Sequence, residues 1–252
     1  MTPITELERL LARTWPGLEQ DHLGDWLLRA GGGWTGRANS VLAVGDPGLP
    51  LEDALDRVAD WYARRGLPPR VHVAQSFDIG PQGQHLLTAC TRRGWAASPW
   101  TFVMTREALP VGGGEAGASA SGKESGVEFE WADHPTEDWV SLVRGGTLPE
   151  VGRAVLTAAP AWYLTVRLDG EPVASGRAAP VEDWVVLGAI EVAPAHRRNG
   201  IGTLVTEALA ARGMAHGATR AALQVEEGNA PAVGLYRALG YRGHHHYVYC
   251  GG

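Results

Sequence analysis

The chain has 252 residues, enough for one large domain or two small ones. Its 28 acidic residues outnumber its 22 basic ones, giving a formal charge of −6, which argues against nucleic acid as a partner because phosphate binding demands a basic face. No apolar run is long enough to span a bilayer and the first residues lack a signal-peptide pattern, so the expectation is a cytoplasmic protein without a membrane partner. Cys90 and Cys250 lie in separate halves and fit a reducing compartment better than a disulfide framework.

In chain order, Thr5 is expected to cap a short helix ending at Arg13, and strands follow over 26–30 and 40–44. Between these strands lies a glycine-rich turn, 31–39. Arg29, Trp34, Arg37 and Asn39 cluster around it, either lining a pocket or forming an ordinary hairpin with surface aromatics. The span 51–65 reads as an amphipathic helix with Leu51, Leu55, Val58, Ala59 and Tyr62 on one face. A strand over 70–75, a helix over 84–93, Gly94-Trp95 and a strand over 100–105 complete this half. A Gly/Ala/Ser-rich stretch without periodicity then marks a linker, giving an N-terminal domain 1–108, a linker 109–125 and a C-terminal domain 126–252.

In the second half a strand over 127–131 and a helix over 136–143 precede a hairpin, 162–168 and 172–179, about Asp169-Gly170. A β-branched strand over 184–192 enters a basic, glycine-punctuated turn that opens an Ala/Leu-rich helix over 201–215. A strand over 220–226, a helix over 230–239, Gly240-Tyr241 and a strand over 245–250 follow. Both halves thus end in a helix, a glycine, an aromatic and a strand, which reads as a duplicated α/β unit. Where the first half should carry a similar turn before its long helix it has Gly45-Asp46-Pro47-Gly48-Leu49-Pro50. Aspartate repels phosphate and each proline removes an N–H donor. The first half therefore reads as a degenerate copy, with Cys90 at the position of Tyr236.

The turn, Ala193-Pro194-Ala195-His196-Arg197-Arg198-Asn199-Gly200-Ile201-Gly202-Thr203, aims unpaired N–H groups at one spot at the positive end of a helix dipole and so suits a pyrophosphate. It is not a nucleotide P-loop, because no lysine follows Gly202, and no third glycine completes a dinucleotide fingerprint. Together with Asn229, Leu235-Tyr236 and Gly240-Tyr241 it closely resembles the acetyl-CoA loop and following helix of the GNAT superfamily of N-acetyltransferases, over about residues 126–249. The resemblance implies a mixed α/β fold of two tandem GNAT-like domains, each a mostly antiparallel sheet flanked by helices. It also implies acetyl-CoA, held by Ile190, Glu191 and Val192 as main-chain partners of pantetheine, by Arg197, Arg198, Asn199, Gly200, Ile201, Gly202 and Thr203 around the pyrophosphate, and by Asn229.

The resemblance makes Tyr236 the general acid for the leaving thiolate. Some family members carry a carboxylate base at the position of Gln224, which cannot take a proton, or acidic or imidazole groups where this chain has Val186 and Gly188. Glu226 shares the strand face of Gln224 and is the substitute, with a water relay as the alternative. Consecutive histidines 244–246 alternate across a strand, and no neighbouring Cys or carboxylate pattern supports a metal there. One of them lining an acceptor pocket, or a structural role, is the better reading. The implied reaction is acetyl transfer to an amine, on a small molecule or a protein, by a monomer or homodimer. The competing reading is an acyl-CoA sensor or scaffold without turnover.

Overall fold

The structure, a computed structural model, describes residues 2–77, 81–107 and 126–252. The expected linker, 109–125, lies outside them. In chain order the elements are α1 (Ile4–Thr14), β1 (Glu19–Leu23), β2 (Trp26–Ala30), β3 (Val41–Leu42), α2 (Leu51–Ala63), β4 (Arg70–Gln75), α3 (Pro81–Arg92), β5 (Ala96–Ala97) and β6 (Thr101–Arg106). After the linker come β7 (Val127–Ala132), α4 (Glu137–Leu142), α5 (Glu150–Thr157), β8 (Trp162–Leu168), β9 (Glu171–Val181), β10 (Trp184–Val192), α6 (Ile201–Ala215), β11 (Arg220–Glu226), α7 (Ala230–Ala238) and β12 (Arg242–Gly251). It is a mixed α/β fold with largely antiparallel sheet flanked by helices.

The chain forms two compact units. The first comprises Met1–Val103, Val225–Ala230 and Gly243–Gly252, and the second Met104–Gln224 and Pro231–Arg242. A cut at the linker assigns 225–230 and 243–252 to the second half. β12 pairs antiparallel with β4 from His246↔Gln75 to Gly251↔Arg70, which ties 243–252 to the first unit, and the Glu227 N–H donates to Trp100 O at 2.9 Å, which ties 225–230 to it. This pairing also revises the reading of the cysteines. Cys250 on β12 and Cys90 on α3 share one buried core with Val71, Val73, Leu55 and Tyr62, and neither is disulfide-bonded.

In the first unit β1, β2, β3, β4 and β12 are neighbours in that order, with β3 and β4 parallel and the other pairs antiparallel. One face buries Leu28, Val71, Val73 and Val248 against α2, in line with period two. The opposite face mixes a small apolar cluster, Leu42 with Ala12 of α1, with polar groups that are nonetheless sealed: Glu8 of α1, Arg29, His72 and His245 are each at most 3 % exposed. In the second unit β7 to β10 run antiparallel and β11 joins β10 in parallel. Helix α6 lies close on this sheet because small residues face it: a Cβ on Gly213 would stand 2.5 Å from Val185 Cβ. Gly213→Ala should therefore cost about 1–3 kcal/mol by overpacking. A urea-unfolding midpoint equal to wild type would contradict this contact.

The echo between the halves is visible in the hydrogen bonds. At the end of α7 the Gly240 N–H donates to Arg237 O and the Tyr241 N–H to Tyr236 O. At the end of α3 the Gly94 N–H donates to Thr91 O and the Trp95 N–H to Cys90 O. Both are Schellman closures with the same spacing, and both put Cys90 and Tyr236 at the same helical position.

Candidate active site

Strand β10 carries the first irregularity of the site. Its register with β9 steps from Gly188↔Arg177 to Glu191↔Ser175, so one extra residue is bulged out. Ala189 takes φ +49 there, unusual for a residue with a side chain, and its carbonyl accepts from Ser175 Oγ at 3.4 Å. On its other side β10 pairs with β11 only from Trp184↔Arg220 to Leu187↔Leu223. From Gly188 to Val192 its main chain has left that ladder, so Ile190, Glu191 and Val192 stand where the two strands have parted.

The turn after β10 is tied down at both ends. The Ala193 N–H donates to Val173 O at 2.9 Å, and Arg197 Nε donates to Val192 O at 3.0 Å. Arg197 thus braces the turn as well as charging it. Arg198 takes φ +67 and Gly200 φ +79, so the chain swings through the left-handed region into α6. Gly200 is the N-cap and accepts from the Leu204 N–H at 3.1 Å, with no side chain capping the helix. The N–H groups of Ile201, Gly202 and Thr203 precede the first intrahelical bond. A Cβ at 200 would meet no atom within 4 Å, so the space beside this cap is open, and Arg198 and Asn199 are exposed on its rim. The residues present fit a diphosphate: uncapped amides, a helix dipole and two arginines.

Tyr236 on α7 is buried, 8 % exposed, with its ring edge-on to Tyr241 at 6.1 Å. Burial, aided by the negative charge of Glu191, pushes its phenol up to about 12. Loop and tyrosine both belong to the second unit. The other two predicted residues fall in the first: Glu226, exposed, ends β11, and its carbonyl accepts from the Asn229 N–H at 2.9 Å in a tight turn before α7.

A family model described as "Probable histone acetyltransferase Rv0428c C-terminal" matches residues 2–250. The chain belongs to that family and to the GNAT superfamily. It is 30% identical to the uncharacterized N-acetyltransferase YobR of Bacillus subtilis (strain 168) over 98% of each chain. It is also 30% identical to the probable histone acetyltransferase Rv0428c of Mycobacterium tuberculosis (strain ATCC 25618 / H37Rv), over 98% of this chain and 73% of that one. Among solved structures, a GCN5-related N-acetyltransferase from Kribbella flavida has the same fold at TM-score 0.69 and 18% identity, covering 100% of this chain and 96% of that one. A tandem GNAT protein from the clavulanic acid biosynthesis pathway aligns at TM-score 0.58 and 16% identity, over 80% of this chain and 67% of that one.

In this GNAT chain the long helix of the first unit, α2, lacks the features of α6. Its N-cap is Pro50, and Glu52 and Asp53 occupy its first turn. Arg93 is held by Glu52 at 2.9 Å and Asp56 at 2.6 Å. An anion there would meet carboxylates. The turn at 31–39 is organised from within: Asn39 Oδ1 accepts from the Gly31 and Gly33 N–H groups at 2.8 Å each, and its amide donates to Trp34 O and Thr35 O. Arg29 is buried and donates to Ser40 O and Ser40 Oγ, so two of the four candidate pocket residues are structural.

Sequence reasoning did not anticipate the partnership of His246 and Glu227. His246 Nδ1 lies 2.8 Å from Glu227 Oε1, within the first unit. The signal was the alternation of 244–246: His245 points to the α1 face and reaches Glu8, and His246 points the other way.

Proposed function

We propose that this protein is an acetyl-CoA-dependent N-acetyltransferase that moves an acetyl group directly from the thioester to a primary amine, with Tyr236 as general acid and the second unit as its catalytic part. One observation carries the reading: the uncapped start of α6, reached through Arg198-Asn199-Gly200, stands directly after a strand whose last residues have left the ladder with β11. A pyrophosphate suits the first feature, and an extended amide-bearing arm suits the second by strand addition. Acetyl-CoA, once bound, supplies an acetyl group activated as a thioester, with a thiolate of conjugate-acid pKa about 8.5 to leave.

The chain's own groups do the rest. A backbone N–H at the parted end of β10 donates to the carbonyl oxygen as it becomes anionic. The Tyr236 phenol, pushed up to about 12, stays protonated across the physiological range and donates its proton to the sulfur as negative charge develops there. Glu191, whose charge helps keep that phenol neutral, thereby assists the donor role. Glu226 is exposed at the strand end and is the candidate carboxylate for deprotonation through water.

Replacing Gly200 tests the loop. Gly200→Val forces a β-branched residue into φ +79 and turns the first amides of α6 away from their common focus. Calorimetry should show coenzyme A affinity reduced by at least about 100-fold, the equivalent of two lost charge-assisted hydrogen bonds at 1.5 kcal/mol each. Wild-type affinity in a folded Gly200→Val protein would mean that the cofactor is held elsewhere.

A further inference from the structure

Of the four residues clustered on the turn 31–39, Arg29 and Asn39 are committed to the fold, and Trp34 and Arg37 remain. Arg37 is half-buried, with its Cζ 4.6 Å from the centroid of the Trp15 ring. Trp15 is held in turn: its Nε1–H donates to Thr35 Oγ1 at 3.1 Å, and its ring lies parallel to that of Trp34 at 6.1 Å and 10°. Among the described residues no carboxylate pairs with the Arg37 guanidinium and nothing accepts a hydrogen bond from it. The half-buried arginines Arg65 and Arg93 of the same unit do have partners, Glu19 at 3.0 Å for the first, Glu52 at 2.9 Å and Asp56 at 2.6 Å for the second. An indole face attracts the Arg37 charge but leaves the edge of its N–H fork unmet.

A second donor without an acceptor adjoins it. Val248 of β12 packs into the α2 core, so Tyr249 beside it faces the α1 side of the sheet. Gly36, next to Arg37 in the chain, lies against the Tyr249 ring: a Cβ there would stand 2.9 Å from Tyr249 Cε2. His72 meets that ring edge-on at 5.3 Å and Tyr247 at 5.2 Å, while the Ser98 N–H donates to Tyr249 O at 2.8 Å, so the side chain is fixed. Its hydroxyl is buried and has no hydrogen-bond partner among the described residues; the Tyr247 hydroxyl stands nearby but is not placed to accept from it. Burial, with the Tyr247 phenol, pushes Tyr249 well above the ordinary phenol value against the pull of the Arg37 and Arg29 charges, so the O–H is kept as a donor. Glu8, a carboxylate of this face, is taken up by His245 at 2.7 Å and His72 at 3.3 Å. What remains is a positive charge, a fork of N–H donors and an O–H donor with no acceptor among them, and unmet donors cost free energy that an acceptor recovers.

We propose that the first unit carries a binding site for a small aromatic carboxylate, with Arg37 and Tyr249 on the acid group and the half-buried Trp34 beside the ring. The two oxygens of a carboxylate accept from the Arg37 fork, and one of them accepts from the Tyr249 hydroxyl as well. A phosphate would bring a third oxygen for which no donor of this cluster is left. Trp34 supplies a flat apolar surface next to the charge, which favours a ring on the acid over a bare one. Every residue of the site belongs to the first unit, and its occupancy is independent of the acetyl-transfer reading.

Calorimetry of the full-length protein with phenylacetate, phenylethanol and phenyl phosphate tests the site. Phenylacetate should bind saturably with a Kd of about 1 mM or tighter, modest for a ligand of about ten non-hydrogen atoms. Phenylethanol, which lacks the charge, should not saturate, and phenyl phosphate should bind more weakly than phenylacetate. Arg37→Gln should weaken phenylacetate at least about tenfold, the contribution of a charge-assisted hydrogen bond, and Arg37→Lys, which keeps the charge and loses the fork, should recover only part of it. Tyr249→Phe keeps the ring against Gly36 and should weaken binding about threefold to tenfold. Arg37 holds no other side chain by a hydrogen bond, so Arg37→Gln should unfold in urea where wild type does. Should its midpoint fall, wild-type crystals soaked in phenylacetate decide: the acid on Arg37 and Tyr249 supports the site, and the acid elsewhere overturns it. Equal affinity in wild type and Arg37→Gln, tighter binding of phenyl phosphate, or no saturable heat from phenylacetate or indole-3-acetate up to about 20 mM also overturns it.

Discussion

Tyr236→Phe is expected to lower turnover by about 10²–10⁴-fold while leaving coenzyme A affinity unchanged. The variant removes one oxygen and keeps the ring against Tyr241 and the Schellman closure that runs through the backbone of residue 236. The helix should therefore stand, and the loss should appear in kcat. The sign of the pH dependence follows from the raised phenol. A group pushed up to about 12 is fully protonated throughout the working range, so wild-type activity should show no alkaline limb from Tyr236 below about pH 10. Steady-state rates across pH, with calorimetry of coenzyme A on both proteins, check this. An unchanged rate in Tyr236→Phe would remove the tyrosine from the mechanism.

Glu8→Ala is expected to destabilise the first unit by about 3–5 kcal/mol, the cost of stripping one partner from a buried ionic cluster. Glu8 Oε1 lies 2.7 Å from His245 Nε2 and 3.3 Å from His72 Nε2, with all three side chains 2 % exposed or less. Burial alone would raise the Glu8 carboxyl, but His72 and His245 outweigh it and hold the group well below the usual carboxylate range. Burial also lowers His72. The contacts continue from His245 Nδ1 to His244 Nδ1 at 2.8 Å, and from His244 Nε2 to Thr2 O at 2.8 Å. Since Thr2 O can only accept, the His244 Nε2–H must donate to it.

The pH dependence of this cluster has a definite sign. Both folded-state values lie below those of the unfolded chain, about 4.3 for a glutamate and 6.5 for a histidine. The stabilisation is complete above those values and is lost as pH falls through the folded ones. Acidification should weaken the first unit from about pH 6.5, through His72, and more steeply below about 4.3, through Glu8. Urea unfolding of wild type and Glu8→Ala at several pH values reads both effects. A loss below about 1 kcal/mol at pH 7 would show that the cluster is not holding the fold.

The parts of this fold that local chemistry controls were legible in the sequence. Strands β2, β4, β8, β10 and β11 and helix α6 have the bounds that alternation, β-branching and glycine punctuation predict. Three elements escaped, the shortest being the two-residue β5. Strand β1, Glu-Gln-Asp-His-Leu, is exposed along nearly all its length and shows no alternation, and it exists because β2 pairs with it residue for residue. Helix α5 contains Gly152 and only eight residues, and burial of Val155 and Leu156 sustains it. The partner of β12 was also hidden. Nothing in residues 242–251 says that β4 will be its neighbour, because that pairing joins positions far apart in the chain.

The candidate site divides in the same way. The turn from Arg197 to Thr203 was readable because N–H exposure, dipole and glycine placement are local properties. The bulge at Ala189 was not, because alanine gives no warning of φ +49 and the register of β9 imposes it. The pairing of His246 with Glu227 needed two segments brought together by folding. Alternation predicted only that His246 and His245 would face opposite ways.

The most direct test of the whole account is a crystal structure of this protein with coenzyme A bound. The account predicts the diphosphate against the N–H groups of Ile201, Gly202 and Thr203, the pantetheine arm beside Ile190 to Val192, and the sulfur within hydrogen-bond reach of the Tyr236 hydroxyl. Coenzyme A seated at the start of α2, or anywhere away from the start of α6, would contradict it.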